Sequence, residues 1–195
     1  RMRLSMGTAG TWSVSQSTTV PSEDYTNSFL LDCTTANGSL SAGSALMFQQ
    51  KFEGQNLQDI QKGTASAKQL ALQFYARSSK TGTFIVELKD MDNTRHICKA
   101  FAINVADTWE LKTWIVDADT TGAFDNDTAN SLELHIWLAA GTNFTSGSLA
   151  TSWAAYDLTN IAVGCDNWAD NTANDFYIAG LQLEIATAVT AFEKV

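Results

Sequence analysis

Charge, histidine and proline are scarce in this chain. Only 17% of its 195 residues are charged, 12 basic against 21 acidic, for a net charge of −9. So few cations exclude a groove that tracks phosphates, and with it a nucleic-acid partner. The two histidines, His96 and His135, make no metal-binding cluster of their own, and no Gly-x-Ser-x-Gly elbow occurs. Catalysis therefore has no anchor, no catalytic residue is assigned, and the chain is expected not to be an enzyme. Three cysteines, Cys33, Cys98 and Cys165, are odd in number and far apart, with no Cys-x-x-Cys pair. That argues against a disulfide framework or a zinc ribbon, and for small buried or half-buried thiols formed in a reducing compartment. A single proline, Pro21, leaves turn-making to Gly, Asn and Asp. No apolar run approaches the roughly 18 residues of a membrane span, so no membrane insertion is expected. The chain opens at Arg1 without an initiator Met or a charged-then-apolar leader, and reads as a piece of something longer.

What is present is β-strand pattern. Hydrophobic content of 45% is ample for a core, and the polar surface must come largely from Ser, Thr, Asn, Gln and Gly. In residues 68–89, Leu70, Leu72, Phe74 and Ala76 alternate with Gln69, Gln73, Tyr75 and Arg77; Phe84, Val86 and Leu88 then alternate with Ile85, Glu87 and Lys89. The two halves, joined by Ser-Ser-Lys-Thr-Gly, predict a β-hairpin. Further strands are expected at 28–33, 45–52, 96–103, 109–116, 131–138 and 176–185, the last with a bulge or close approach at Gly180. Trp12 and Val14 are expected to anchor residues 7–20. Leu57 and Ile60, at helical spacing between Gly54 and Gly63, predict one short helical turn. Residues 142–174 carry little pattern, which suggests functional loops or short strands. About eight to ten strands with at most one short helix imply an all-β fold: a two-sheet antiparallel β-sandwich, most simply a jelly roll, with 1–195 as one domain.

Strand parity nominates a surface. Reading Trp109, Leu111 and Ile115 as the core face of their strand leaves Trp114 outward with Glu110 and Lys112. Reading Leu132, Leu134, Ile136 and Leu138 as the core face leaves Glu133, His135 and Trp137 outward. Tyr75 lies outward between Gln73 and Arg77. Flat aromatics amid Gln, Glu, His and Arg suit a sugar, because rings stack on the C–H side of a pyranose while polar neighbours bond its hydroxyls. The same residues equally suit a subunit interface, or cover by the 142–174 loop. Trp153 and Trp168, within that loop, read as plugs tethering it to the body, with tip contacts to a ligand as the alternative. Asp117, Asp119, Asp125 and Asp127 crowd one loop and could bind Ca²⁺, although the EF-hand spacing fails and Asx turns explain them without a metal.

Four segments carry a resemblance: SAKQLALQFYARSSKTGTFIVELKD (66–90), Thr108-Trp109-Glu110, LELHIWLAAGTNFTSG (132–147) and DFYIAGLQLEIATAVTAFE (175–193). They resemble a jelly-roll domain of tailed-bacteriophage structural proteins, often marine, found in virions and tail fibres. Gln182-Leu183-Glu184 with Ala191-Phe192-Glu193 is the most distinctive part; relatives usually carry a Gly near Ala186 and a Pro near Ala191, where this chain departs. The resemblance implies a non-enzymatic virion module (tail fibre, spike or capsid surface), assembled in the host cytoplasm. Its implied partners are other virion proteins and copies of itself, with a trimer as the family habit, and host surface glycans. More distantly, the strand order resembles carbohydrate-binding modules of secreted polysaccharide-degrading enzymes, which makes an extracellular module the alternative; a purely architectural virion domain is the third reading. Those modules often hold calcium through an Asp pair in the last strand, where this chain has Ala179 and Gly180.

Overall fold

A computed structural model describes residues 3–193. Alternation without helical period gives strands almost throughout: β1 (Arg3–Gly7), β2 (Thr11–Ser17), β3 (Ser28–Thr35), β4 (Ala45–Glu53), β5 (Leu70–Arg77), β6 (Gly82–Asp90), β7 (Arg95–Ile103), β8 (Glu110–Val116), β9 (Asn130–Ala140), β10 (Ala154–Ala155) and β11 (Asp175–Ile185). One single-turn helix, α1 (Thr142–Thr145), and 3-10 turns at Gly54–Asn56, Gln58–Ile60 and Leu158–Asn160 complete the elements of the described residues. The strands form two antiparallel sheets, a six-stranded one in the order β1-β4-β9-β6-β7-β10 and a five-stranded one in the order β2-β3-β11-β5-β8. The expected all-β two-sheet sandwich is the observed fold. The tally exceeds expectation because β1 and the two-residue β10 carry too little alternation to be noticed.

The core lies between the sheets. Leu72 and Phe74 from β5 meet Phe84, Val86 and Leu88 from β6, with Leu134, Ile136 and Leu138 from β9 and Phe176 from β11, all buried in one cluster. Each such side chain stabilises the fold by about 1.5–3 kcal/mol on full burial. No helix among the described residues is long and apolar enough to cross a membrane.

The expected hairpin at 68–89 is corrected. β5 and β6 belong to different sheets, and Phe74 faces Phe84 across the core with ring centroids 6.2 Å apart. Both strands alternate because both present an apolar face to the same core, from opposite sides. Between them the chain bridges the layers: Ser78 Oγ donates to the Asp175 carbonyl, and Ser79 N–H donates to Asp175 Oδ1 at 2.8 Å. The true hairpin is β6–β7, paired from Gly82↔Ile103 to Asp90↔Arg95.

Val14 is also corrected: Trp12 is buried in the core, but Val14 is 44% exposed. At Gly180 the expected irregularity is present. The β5–β11 register shifts between Ala179 and Gln182, Gly180 has φ +60°, and a Cβ there would lie 2.7 Å from the Tyr25 ring. Only glycine combines that backbone with that approach.

Strand β8 is an edge of the five-stranded sheet, and its inward face is Lys112, Trp114 and Val116. Glu110 ends that row, where its carboxylate binds Lys112 Nζ at 2.5 Å and accepts the N–H groups of Asn104 and Val105. Inward charge on an edge strand discourages further strand pairing. Partial burial opposes ionisation of Glu110, but the Lys112 ammonium and these N–H donors outweigh it and hold the carboxyl down to about 2. A lowered native value contributes stability that is present above the unfolded carboxyl value near 4.5 and is lost as pH falls towards about 2. Glu110→Gln should therefore flatten the acid limb of the stability curve between those values. Thermal melts at stepped pH read this out; an acid limb identical to the wild type would refute it.

Candidate functional site

The two outer faces of the sandwich differ in what lies over them. The six-stranded sheet is crossed by the chain that follows β9. Ile161 and Ala162 from that covering segment pack with Ile85, Cys98 and Trp137 into a second apolar cluster, joined by Phe144, Leu149 and Tyr156. Trp137 is 2% exposed, meets the Phe144 ring at 5.3 Å and donates its indole N–H to Glu87 Oε2 at 3.1 Å. The expected outward parity of Trp137 is right, and of the three readings of that face, open ligand surface, subunit interface or cover by the 142–174 loop, the loop cover is the one observed at Trp137. Trp168 and Trp153 hold the later part of the loop as plugs. Trp168 is buried in the main core, and Trp153 donates from Nε1 to the Asp117 carbonyl at 2.8 Å.

Beside Trp137, charged groups fill the same face. His135 lies between two carboxylates, with Nδ1 2.8 Å from Glu87 Oε2 and Nε2 2.9 Å from Glu133 Oε2; Lys51 pairs with Glu133 at 2.9 Å. Burial opposes the charged form of each. At Glu87 the donors His135, His96 and Trp137 outweigh it and hold the carboxyl down to about 2; at Glu133, His135 and Lys51 likewise lower it. Burial lowers His135, and the two carboxylates outweigh it and raise the imidazole above its usual value. Both His135 and Glu133 are buried, which removes them, with Trp137, from an open ligand surface.

Trp114 is corrected outright: it lies in the main core at 7% exposure, while Leu111 points outward at 48%. The apolar row chosen as inward in β8 is the outward one, because the inward row begins with the Glu110–Lys112 pair.

The outer face of the five-stranded sheet gathers the remaining candidates. Tyr177 of β11 pairs with Arg77 of β5 and Leu30 of β3; one step along, Ala179 pairs with Tyr75, and Tyr75 with Leu111. Trp109, just ahead of β8, meets Tyr177 edge to face at 6.0 Å. Arg77 stacks on Tyr177 at 4.8 Å and pairs through Nη2 with Asp107 Oδ1 at 2.8 Å. Tyr75 meets Tyr25 at 5.6 Å, and Tyr25 meets Phe192 at 5.3 Å. Trp109, Tyr177, Tyr75, Tyr25 and Phe192 are all half-buried. Trp109 Nε1 and Arg77 Nη1 have no acceptor within the described residues. Gln73 lies on the same face, buried beneath the C-terminal segment, where it donates to the Thr190 carbonyl at 2.7 Å. Tyr75, Arg77 and Gln73 thus share one sheet; Trp109, Tyr177 and Tyr25 were missed as ligand candidates. Tyr177 was legible, since Phe176 and Ile178 face the core on either side of it.

The four loop aspartates do not converge on a cation. Asp119 is buried against Lys62 and Arg95, at 3.0 and 2.8 Å. Asp127 accepts the Ala129 N–H, the Asp125 N–H is bound by Asp92, and Asp117 is exposed. Lys62 Nζ occupies the oxygen cage instead, 2.6 Å from Asp90 Oδ2 and 2.8 Å from the carbonyls of both Thr121 and Gly122. Among the described residues, the group of three or more potential metal donors is Glu87, His96 and Cys98.

No protein-family model and no curated protein sequence matches this chain. Solved structures do match it in fold. The enzymatically active domain of tailspike protein 4 from bacteriophage CBA120 aligns over 95% of this chain at 15% identity with a TM-score of 0.51, and this chain spans 19% of that chain's length. A family 11 carbohydrate-binding module of a Clostridium thermocellum cellulosomal cellulase aligns over 95% of this chain and 88% of its own, at 11% identity and TM-score 0.46. The C-terminal family 22 module of a Clostridium thermocellum protein aligns over 97% and 88%, at 14% identity and TM-score 0.47. At such identities the tailspike likeness speaks for the jelly-roll-like sandwich alone.

Proposed function

We propose that this domain binds carbohydrate on the outer face of its five-stranded sheet, as a non-enzymatic module displayed on a phage virion. The observation that carries the binding site is the half-buried row of Trp109, Arg77 and Tyr177 with Tyr75 and Tyr25 alongside. Ring faces and edges there offer C–H stacking area, with the Arg77 guanidinium stacked on Tyr177 beside them. The virion setting rests on the sequence resemblance, and weak individual contacts suffice there because repeated copies raise avidity. The parent reading frame separates this setting from the alternative of a module attached to a secreted enzyme, which a neighbouring catalytic domain would reveal.

The test is a glycan array probed with multivalently displayed domain. Trp109→Ala and Tyr177→Ala should each weaken binding about tenfold or more, the scale of losing one aromatic anchor. Binding to no glycan, or binding indifferent to both substitutions and to Tyr75→Ala, removes the proposal.

A further inference from the structure

His96 and Cys98 stand two residues apart on β7, so both side chains take the outer face of the six-stranded sheet, and Cys98 pairs directly with Glu87 of β6. His96 Nδ1 lies 3.3 Å from Glu87 Oε1 and 4.0 Å from Cys98 Sγ, and the three donor atoms all fall within 4.8 Å of one another. All three residues are buried. We propose that Glu87, His96 and Cys98 form a buried binding site for a thiophilic divalent ion, zinc by donor type, on the outer face of the six-stranded sheet beneath the covering segment.

Thiolate, imidazole and carboxylate are the donors zinc takes. Around a tetrahedral zinc, with bonds of about 2.0–2.3 Å, nitrogen and oxygen donors stand about 3.3 Å apart and nitrogen and sulfur about 3.6 Å. The first spacing is already present, the second needs a contraction of a few tenths of an ångström, and the oxygen–sulfur pair, which lies within 4.8 Å, closes by up to about 1 Å. The surroundings hold the donors in place. Glu87 commits Oε2 to His135 Nδ1 and Trp137 Nε1, which leaves Oε1 for an ion. His96 Nε2 has no hydrogen-bond partner, and its ring lies 5.1 Å from that of Tyr156 in a T-shaped contact. An ion on Nδ1 puts the ring proton on Nε2, an N–H that an aromatic face can accept weakly. The Ile161 carbonyl, from the covering segment, stands 3.5 Å from Cys98 Sγ, and the Ala150 carbonyl takes the Cys98 N–H. The ion would displace the thiol proton to solvent and take Sγ as thiolate, so uptake releases one proton.

The whole chain, freed of metal and then incubated with zinc or cobalt(II), should retain one equivalent after gel filtration. The cobalt form should show thiolate-to-cobalt charge-transfer absorption. Cys98→Ser should abolish that band, while Cys33→Ala and Cys165→Ala keep it. X-ray absorption on the zinc form of the unaltered chain should read one sulfur neighbour at about 2.3 Å, with nitrogen or oxygen completing the shell. Zinc at about a hundredfold excess over its dissociation constant should raise the melting midpoint by about 5–10 °C. Absence of retained metal, a shell without sulfur, or a cobalt band that survives Cys98→Ser would each overturn the site.

Discussion

Lys62→Met should lower stability by about 3–5 kcal/mol, the cost of removing one partner from a buried ionic cluster. For a domain of this size that is a fall in melting midpoint of about 6–20 °C. The Lys62 side chain is 2% exposed and the Asp90 side chain 0%. Methionine matches its length but leaves the Asp90 and Asp119 carboxylates facing each other without the ammonium between them. Asp119 keeps Arg95, and Asp90 keeps the donors of Asn93, so folding survives while stability falls. Phe124 and Trp153 flank the ammonium at 5.3 and 5.4 Å, so the variant also loses two cation–π contacts, each about 0.5–2 kcal/mol. Two carboxylates and two carbonyls are also the oxygen types calcium prefers. Millimolar calcium should therefore leave the unaltered protein's melt in place and restore part of the loss in Lys62→Ala. A Lys62→Met midpoint close to that of the unaltered protein, or a calcium-stabilised protein with Lys62 intact, would refute the assignment.

Lys62 marks where sequence reading stops. Its neighbours, Gln61 and Gly63, reveal nothing of Asp90 and Asp119, which folding brings to it from 28 and 57 positions away. The Asp-rich loop was visible, but the cation at its centre was covalently part of the chain. Local alternation, by contrast, was strongly legible. Leu70, Leu72 and Phe74, and again Phe84, Val86 and Leu88, face the core as their spacing demands. Alternation reports which side of a strand is buried and says nothing of which sheet holds it. Hence β5 and β6 read as neighbours when they face one another across the core. At β8 alternation points to the wrong row because Lys112 and Glu110, inward at a sheet edge, outweigh Trp114 and Val116. At β9 the parity was right, and the choice between an open face and one covered by the 142–174 loop depends on contacts that alternation does not report. His96 and Cys98 on one strand face were legible as a pair; Glu87 completes them only through the β6–β7 register.

Trp137→Ala should cost about 3–5 kcal/mol, as large aromatic truncations in packed sites do. The indole is the floor on which the covering segment rests, touching the Phe144 ring on one side and sharing the Ile85, Cys98, Ile161 and Ala162 cluster. Its removal also takes a donor from Glu87 Oε2, a carboxylate buried at 0% exposure. Because this cluster is separate from the main core, the loss should be felt first as local opening of the segment, and only then as global unfolding. Cys98, buried beneath the segment, reports that opening; Cys33, buried in the main core, serves as the internal control. Thiol labelling followed by mass spectrometry should therefore show Cys98 reacting faster in Trp137→Ala while Cys33 keeps its rate. Trp109→Ala, by contrast, removes a half-buried ring from the opposite sheet and should leave both labelling rates alone. Equal acceleration at Cys33 and Cys98 would mean that the segment and the main core open together, and the covering segment would not be a separable layer.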